Sequence, residues 1–523
     1  MLAPLRRIAS ADALLVTAFA LVGLGLRLPL LGRSIWRDEG STYAVVAVPS
    51  LHALLSHVWT TEMTPPLYYL IEYWWTHLAG VSETALRVPS LLCGLATIVV
   101  MYALGRRLAG MTGAIAAAFC ATFSPLAIEL DVEARAYAFA LLLSAAFLYS
   151  YAVCVTSATA RRGWYAALFV SGVMLTATFT TGYIVLAVVA AAAVVTAAVR
   201  RDRESAILAL TAIGTCLVAL AFIPYVLHYA ANWRGCCVQS PNLNLRIDRN
   251  LEAFSPFGIM YDQLNTALKI AVALWLVTLP FRRRDVVDGF IAMATAVVVL
   301  GLAANIVENI SPERHLLVYA PAAWLLMALF SAAFITWLGR TRSLRWVVAL
   351  PLAYGLFCAL LHYPKGYHEG TAAPSNVRDA VAALAPFRGH ALLVIAAPDY
   401  LGATLNYYLR SAPDVTLRGI ATWENPQFYQ YDLAPWYTKD FTRSEVDRVE
   451  RLARKQDALI VLVARPKANT FNGVPFARAL SVVAPLKREN RILYERSFPS
   501  LREAVDVTIM QPAAVRPPPA KGS

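Results

Sequence analysis

Long apolar runs are the feature that most constrains the fold of this chain. About eleven runs have the 17–25 residues that a helix needs to cross a bilayer. Only 15% of the 523 residues are charged, whereas an ordinary soluble domain has about a quarter. We therefore predict a polytopic, mainly helical membrane protein. The predicted spans cover residues 11–31, 85–104, 111–128, 136–155, 164–181, 183–199, 206–228, 264–281, 287–306, 316–338 and 346–363.

Short clusters of arginine lie in alternate connections between these runs. The clusters begin at Arg6, Arg106, Arg161, Arg200, Arg282 and Arg340. Cytoplasmic connections of membrane proteins are enriched in Lys and Arg, so the alternation predicts a cytoplasmic N-terminus. The other connections, and the segment after residue 363, are then predicted to be extracytoplasmic. The formal net charge is +13, but the arginines between the apolar runs fall in these short clusters, and no basic tail indicates a nucleic acid partner.

The first extracytoplasmic connection is long and carries two short apolar stretches. It covers residues 32–84 and includes VAVPSLHALLSHVW and PLYYLIEYWWTHLAG. Both stretches are shorter than a span, and their Trp and Tyr residues are typical of the lipid headgroup level. We therefore predict two interfacial helices in this connection.

After residue 363 the sequence changes to that of a soluble domain. Helical patterns such as SEVDRVERLARKQD alternate with apolar strand patterns such as HALLVIAAP and ALIVLVAR. Such alternation predicts a small parallel α/β domain. The predicted organisation is a membrane catalytic domain over 1–363, an extracytoplasmic α/β domain over 364–510 and a disordered Pro-rich tail over 511–523.

Charged clusters lie at three predicted extracytoplasmic ends of the spans. They are WRDEGSTY with Asp38 and Glu39, IELDVEARAY with Glu129, Asp131, Glu133 and Arg135, and SPERHLL with Arg314. Each cluster alone is explained better by a solvated helix end than by a catalytic site. Together, on one face of the membrane, they indicate a single interfacial site, because carboxylates can act as bases and arginines can bind phosphate.

Several short motifs, in this order, carry a family resemblance. They are RLPLLGRSIWRDE, TPPLYY at 64–69, ALRVPS at 85–90, E-x-R-x-Y at 133–137 and ERHLL at 313–317. The chain resembles the GT-C glycosyltransferase superfamily over residues 26–338. Within it, the similarity is to the protein O-mannosyltransferase-like group, glycosyltransferase family 39, and to the lipid A aminoarabinose transferase.

The resemblance implies an enzyme that transfers a hexose or pentose from a polyprenyl-phosphate sugar to an acceptor hydroxyl, with inversion. By this similarity Asp38 is the general base, and Glu39 orients or neutralises its neighbours. Asp131 and Glu133 are implied to contact the acceptor or a metal. We choose Arg135 and Arg314 for the donor phosphate, because a planar guanidinium matches phosphate oxygens and stays charged beside lipid.

No cofactor is assigned from the sequence. Glu129, Asp131 and Glu133 have the oxygen ligands for a hard divalent cation, but no dedicated spacing requires one, and the metal is unknown. The seven cysteines include no Cys-x-x-Cys spacing, so no zinc site is predicted. The expected partners are the lipid donor, the membrane, and a protein, lipid or glycan acceptor, and the expected location is a bacterial inner membrane.

Two other classes of function remain open at this point. A polytopic transporter or lipid-glycan flippase would need no covalent chemistry, although transporters commonly have internal repeats, which this asymmetric chain lacks. A scaffold that binds polyprenyl glycans without transferring them would not need its carboxylates.

Overall fold

The computed structural model divides the described residues between two compact units. One, the membrane unit, comprises Met1–Gly32, Met63–Ala231 and Val238–Thr371, and the other, the sheet unit, comprises Arg33–Glu62, Asn232–Cys237 and Ala372–Ser523. The described residues are 2–62, 64–157, 162–232, 251, 254–255, 275, 277, 285–308, 312–340, 363–364, 367, 372–428, 443–465, 480–500 and 502–513.

The regular secondary structure in the described part of the membrane unit is helical. Its helices are α1 (Leu2–Arg27), α4 (Leu67–Ala79), α5 (Glu83–Phe123), α6 (Pro125–Leu130), α7 (Tyr137–Thr156), α8 (Arg162–Thr178), α9 (Gly182–Arg200), α10 (Arg203–Ala219), α11 (Ile223–Asn232), α12 (Val286–Glu308), α13 (Pro312–Leu316) and α14 (Ala320–Arg340). Among the described residues, seven helical segments are long and apolar enough to cross a membrane. The prediction of a polytopic helical protein is confirmed.

Two of the predicted spans are joined in one helical segment. α5 contains 41 residues and has non-helical backbone angles at Ala109 and Gly110, where φ of Gly110 is 65°. That left-handed conformation favours glycine, so the sequence itself marks the boundary between runs 85–104 and 111–128. Run 164–181 corresponds to α8, which has 17 residues. Runs 264–281 and 346–363 lie almost entirely outside the described residues.

Polar side chains fix where several of these helices begin. The Ser82 hydroxyl accepts a hydrogen bond from Ala85 N at 3.1 Å at the start of α5. At the start of α10, Asp202 Oδ1 accepts one from Ser205 N at 2.7 Å. Each side chain satisfies a backbone donor that the first helical turn leaves unpaired.

The sheet unit contains a five-stranded mixed sheet with the order β2-β1-β3-β5-β4. Its strands are β1 (Ala391–Ala397), β2 (Val415–Gly419), β3 (Ala458–Ala464), β4 (Arg491–Phe498) and β5 (Val505–Gln511), and its helices are α2 (Arg37–Val46), α3 (Leu51–His57), α15 (Val377–Ala382), α16 (Leu401–Leu409), α17 (Arg443–Lys455) and α18 (Val483–Glu489). β1 pairs in parallel with β2 and β3, as predicted. The all-parallel expectation is wrong for β4 and β5, which are antiparallel.

Alternate residues of the central strand enter two separate apolar clusters. Leu392 and Val394 of β1 belong to one cluster, which includes α16, whereas Leu393 and Ile395 belong to the other, which includes α17. Because successive side chains of a strand point to opposite faces, β1 is covered on both sides. This explains its continuous apolar sequence.

The first long connection is divided between the two units. Residues 33–62 belong to the sheet unit, although the predicted boundary placed them in a 1–363 membrane domain. The physical reason is that α2 packs on α16: a Cβ at Gly40 would lie 2.7 Å from the backbone of Ala403 and Thr404. The two predicted short helices are present as α3 and α4.

The predicted tail overlaps the sheet at its first residue. Gln511 ends β5 and pairs with Arg491. Residues 514–523, which make up most of the predicted Pro-rich tail, lie outside the described residues.

Candidate functional site

Asp38 lies in the first turn of α2 within the sheet unit. Its side chain is buried, and Oδ1 accepts a hydrogen bond from Arg37 Nε at 3.0 Å. An acidic residue at a helix N-terminus is favoured by the helix dipole. The carboxylate is thus held in a fixed place by its neighbour and by the helix end.

Glu39 has a different environment from Asp38. It is fully buried, and its Oε2 accepts a hydrogen bond from Trp36 N at 3.4 Å. A glutamate whose side chain reaches back to the residue before a helix accepts a hydrogen bond from the backbone N–H of that residue. Two residues further along the helix, the hydroxyl of Ser41 donates a hydrogen bond to the buried carboxylate of Glu62.

Aromatic rings surround the Arg37 guanidinium. Its Cζ lies 5.2 Å from the ring centre of Tyr400 and 5.9 Å from that of Trp36. Guanidinium groups bind aromatic faces within about 6 Å, so these rings restrict the side chain that pairs with Asp38. Arg502 lies over the same Trp36 ring at 4.9 Å, and Arg465 lies 5.6 Å from Tyr400.

A second buried carboxyl group, that of Glu503, lies in this part of the sheet unit. The Thr404 hydroxyl is 3.2 Å from one of its oxygens and 3.3 Å from the other. Burial raises the pKa of Glu503 to about 7, although hydrogen bonds from Ser375 and Thr404 and the charges of Arg37 and Arg465 act in the opposite direction. Glu503 therefore changes protonation state near neutral pH.

In the membrane unit, Asp131 forms a buried ion pair with Arg27. Its Oδ2 lies 2.7 Å from Arg27 Nη2 and 2.8 Å from Arg27 Nε, and the two side chains are 1% and 0% exposed. Burial raises the pKa of Asp131 to about 6, against the opposing effect of Arg27. Gly94 leaves space for this carboxylate, because a Cβ there would lie 2.3 Å from it. The pair anchors the turn that follows α6 to the end of α1.

The same turn carries Glu133 and Arg135. Glu133 is buried and Arg135 half-buried, and the Arg135 carbonyl accepts a hydrogen bond from Ser90 Oγ at 3.4 Å. Arg135 also acts on Tyr68 of α4: its charge opposes the burial that raises the pKa of that phenol. The turn thus brings the positive charge of Arg135 close to a buried tyrosine.

Arg314 of α13 lies against the first residue of α7. Its Cζ is 6.0 Å from the ring centre of Tyr137, and it is half-buried. The neighbouring His315 packs on Tyr137 and Phe179, with ring centres 6.3 and 5.7 Å away. Arg314 is therefore joined through Tyr137 to the turn that carries Arg135.

The structure gives little support for a divalent cation at Glu129, Asp131 and Glu133. Among the described residues, no three His, Cys, Asp or Glu side chains cluster in a way that could hold a metal ion. Asp131 already has Arg27 as its counter-charge. An arginine at this distance leaves that oxygen little capacity to bind a cation.

The predicted site residues fall into two groups. Asp38 and Glu39 are in the sheet unit, whereas Asp131, Glu133, Arg135 and Arg314 are in the membrane unit. Sequence reasoning did not identify Arg27, Arg37 and Glu503 as neighbours of the predicted site residues. Arg27 and Asp131, for example, are 104 positions apart, and such a contact leaves no local pattern in the sequence. Arg37 stands next to Asp38 and was the one partner that the motif itself could have indicated.

Comparison with known proteins supports the predicted resemblance. A sequence model described as dolichyl-phosphate-mannose-protein mannosyltransferase matches residues 63–228. No curated protein sequence matches.

Solved structures with the same fold cover nearly the whole chain. ArnT from Cupriavidus metallidurans in the apo state is 15% identical, with a TM-score of 0.60, and the match covers 96% of this chain and 98% of that one. ArnT bound to undecaprenyl phosphate gives a TM-score of 0.55 at the same identity and coverage. An Archaeoglobus fulgidus oligosaccharyltransferase, tethered with an acceptor peptide, is 13% identical with a TM-score of 0.52, covering 93% of this chain and 72% of that one.

These matches confirm that the chain has a GT-C fold and resembles family 39 and ArnT. The mainly helical membrane architecture with a small C-terminal sheet domain is the same in outline as the sequence predicts.

Proposed function

We propose that this chain, which has a GT-C fold, is a membrane glycosyltransferase that uses a polyprenyl-phosphate-linked sugar. The observation that carries the proposal is Asp38, a buried carboxylate fixed at the start of α2 by Arg37. The matches to ArnT with undecaprenyl phosphate and to the mannosyltransferase sequence model support a lipid-phosphate donor.

In the proposed reaction, Asp38 takes the proton of an acceptor hydroxyl. The acceptor oxygen forms a bond to the anomeric carbon of the sugar as the bond from that carbon to the phosphate oxygen breaks. The electron pair leaves with the polyprenyl phosphate, which needs no general acid because phosphate is a good leaving group. A single displacement of this kind inverts the anomeric centre.

Glu39 supports this base without acting as one. Its carboxylate accepts from Trp36 N and so stabilises the first turn of the helix that carries Asp38. We therefore assign Glu39 to the orientation of Asp38.

The donor phosphate is assigned to Arg135 and Arg314 of the membrane unit. Both are half-buried, and Arg314 lies beside Tyr137. A guanidinium stays protonated in such surroundings and presents paired N–H donors to phosphate oxygens. Glu133 is proposed to contact the acceptor, while Asp131 is proposed to anchor the turn through Arg27.

The orientation is proposed from the arginine clusters, and the location from the family resemblance. We propose a bacterial inner membrane protein with a cytoplasmic N-terminus and extracytoplasmic chemistry. The transferred sugar is a hexose or pentose, and its acceptor is a hydroxyl of a protein, lipid or glycan.

The test is a transfer assay with the full chain in lipid nanodiscs. Labelled polyprenyl-phosphate sugars are supplied one at a time with a membrane extract as the source of acceptors. Wild type is compared with Asp38→Asn and with Asp379→Asn. The control Asp379 also follows an arginine, but that pair is exposed and 4.0 Å apart. We expect one donor to be consumed by wild type and the control, with at least a hundredfold loss in Asp38→Asn.

Measuring the binding of polyprenyl phosphate distinguishes phosphate binding by the two arginines from the role of Asp38 as the base. Arg135→Gln and Arg314→Gln are expected to weaken its binding about tenfold each, whereas Asp38→Asn leaves binding unchanged. Equal transfer by wild type and Asp38→Asn would overturn the assignment of the base. Movement of a labelled lipid across the bilayer, without transfer of sugar from any donor, would instead favour the flippase.

A further inference from the structure

The start of α2 is built onto the sheet domain. Gly40 lies against the backbone of α16, and Tyr43 packs edge to face on Tyr407 with ring centres 5.0 Å apart. All ten residues of α2 are buried. The helix that carries Asp38 is therefore positioned by residues that lie more than 350 positions later in the chain.

A polar cluster beside this helix contains two arginines and a buried carboxyl group. Glu503, which precedes β5, is 2% exposed and accepts from the Thr404 hydroxyl. The Tyr400 ring has Arg37 at 5.2 Å and Arg465 at 5.6 Å. Arg502, the residue before Glu503, lies over the Trp36 ring at 4.9 Å, and Arg37 lies 5.9 Å from the same ring, which places Glu503 beside the start of α2. The positive charges of Arg37 and Arg465 favour the ionised form of Glu503.

We infer that Glu503 is a positioning residue that acts through Arg37 to set the orientation and basicity of Asp38. The inference rests on the proposed function. It gives the C-terminal domain a part in catalysis, whereas the sequence analysis assigned catalysis to a membrane domain that ends at residue 363.

Glu503 would act on Asp38 through the charge of Arg37. A cation held 3.0 Å from Asp38 stabilises its ionised form and so makes it a weaker base. An ionised Glu503 shares the charge of Arg37, which leaves Asp38 more basic. A neutral Glu503 leaves the full charge of Arg37 on Asp38.

Glu503 changes between these two states within the working range of pH. Its pKa is raised to about 7 by burial. The groups that face it are Arg37 from α2, Arg465 after β3, Tyr400 and Thr404 from the α16 region, and Ser375. The hydroxyls of Thr404 and Ser375 stay neutral throughout, and burial raises the pKa of Tyr400 to about 12. Glu503 is thus the group in this set that titrates near pH 7.

The experiment measures the rate of transfer at saturating donor from pH 5.5 to 8.5, in nanodiscs. The variant is Glu503→Gln, which keeps the volume and an acceptor for Thr404. Its matched control is Glu450→Gln, because Glu450 is also buried in the sheet unit and is paired, through Asn490 at 3.1 Å and Arg454 at 3.5 Å.

We expect the ratio of wild-type rate to Glu503→Gln rate to depend on pH. It is near one at pH 5.5, where wild-type Glu503 is protonated, and about five- to tenfold at pH 8.5, where it is ionised. Glu450→Gln should match wild type throughout. A ratio that does not change with pH would overturn the inference. A change in the amount of folded protein would act in the opposite direction, because the buried Glu503, whose pKa is raised, destabilises the wild type as the pH rises.

A second variant keeps the Glu503 carboxyl group and raises its pKa. Thr404→Val removes the hydroxyl whose hydrogen bond lowers the pKa of Glu503. The rise in rate should therefore move to higher pH, and an unmoved midpoint would contradict the inference.

Amide hydrogen exchange of residues 36–43 tests positioning without catalysis. Exchange at pH 8 should be several-fold faster in Glu503→Gln than in wild type and in Glu450→Gln. If wild type transfers no sugar, the proposed function fails while this readout still decides whether Glu503 holds α2. If wild type transfers sugar but neither the pH profile nor exchange changes, the inference alone fails.

Discussion

Loss of the buried ion pair between Arg27 and Asp131 should destabilise the membrane unit strongly. Arg27 donates a hydrogen bond from Nε to Asp131 Oδ2 at 2.8 Å, and its Nη2 lies 2.7 Å from the same oxygen. It donates three more to the carbonyl oxygens of Gly23, Ala121 and Thr122, at 3.1, 3.1 and 3.2 Å. Arg27→Met removes these four hydrogen bonds and the ion pair, and leaves Asp131 buried without its counter-charge. We expect a loss of about 3–5 kcal/mol in the free energy of unfolding at pH 8.

The pH dependence provides an independent check on this magnitude. The pKa of Asp131 is raised to about 6 in the folded protein from an ordinary value of 3.8, so its protonated form favours folding. Its contribution to stability is fully present below pH 3.8 and is lost as the pH rises through about 6. Without Arg27 the folded pKa is higher still, because Arg27 lowers it. The loss caused by Arg27→Met should therefore be at least ~1 kcal/mol smaller at pH 5 than at pH 8.

The assay is denaturant unfolding of the full chain in detergent, at both pH values. Arg106→Met is the matched control, since Arg106 pairs with Asp12 at 3.1 Å but the two side chains are 35% and 27% exposed. Such a pair contributes about 0–1 kcal/mol. Equal losses for the two variants, or a loss for Arg27→Met that is the same at pH 5 and pH 8, would refute the reasoning.

Two further substitutions test the packing of the sheet unit. Gly40→Ala places a Cβ 2.7 Å from the backbone of α16 and should cost about 1–3 kcal/mol, whereas Gly289→Ala in α12, with nothing within 4 Å, should cost nothing in thermal unfolding. Both carboxylate oxygens of Asp399 accept hydrogen bonds from residues 420–422. Asp399→Asn replaces one of these oxygens by an amide NH2 group, which faces a donor and cannot accept its hydrogen bond. A loss of about 2–4 kcal/mol is expected in denaturant unfolding, and an unchanged midpoint would contradict it.

The helical part of the fold was predictable because the length of an apolar run is enough to identify a membrane span. The strands β1 and β3 were predictable for a similar reason, since both are buried and continuously apolar. β4 was missed because most of its side chains are exposed, so its sequence has no apolar pattern typical of a buried strand. It forms a strand because it pairs with β5.

The sequence indicated candidate site residues one by one, but it did not indicate which other residues contact them. The motif around Asp38 identified the carboxylate, yet its helix was assigned to the membrane domain because nothing local indicates that Gly40 packs on α16. Asp131 was interpreted as an acceptor or metal contact. Its partner Arg27, at the end of α1, looks in the sequence like an ordinary basic residue at a membrane surface. Contacts between distant positions decide both roles.

The central claim is that Asp38 is the base in a sugar transfer from a lipid phosphate. The most direct measurement is the single-turnover rate of transfer from a labelled polyprenyl-phosphate sugar already bound to the full chain, in wild type and Asp38→Asn. We predict that both proteins bind the donor equally and that the rate in Asp38→Asn is at least about a hundredfold lower. Equal rates from equally bound donor would contradict the account.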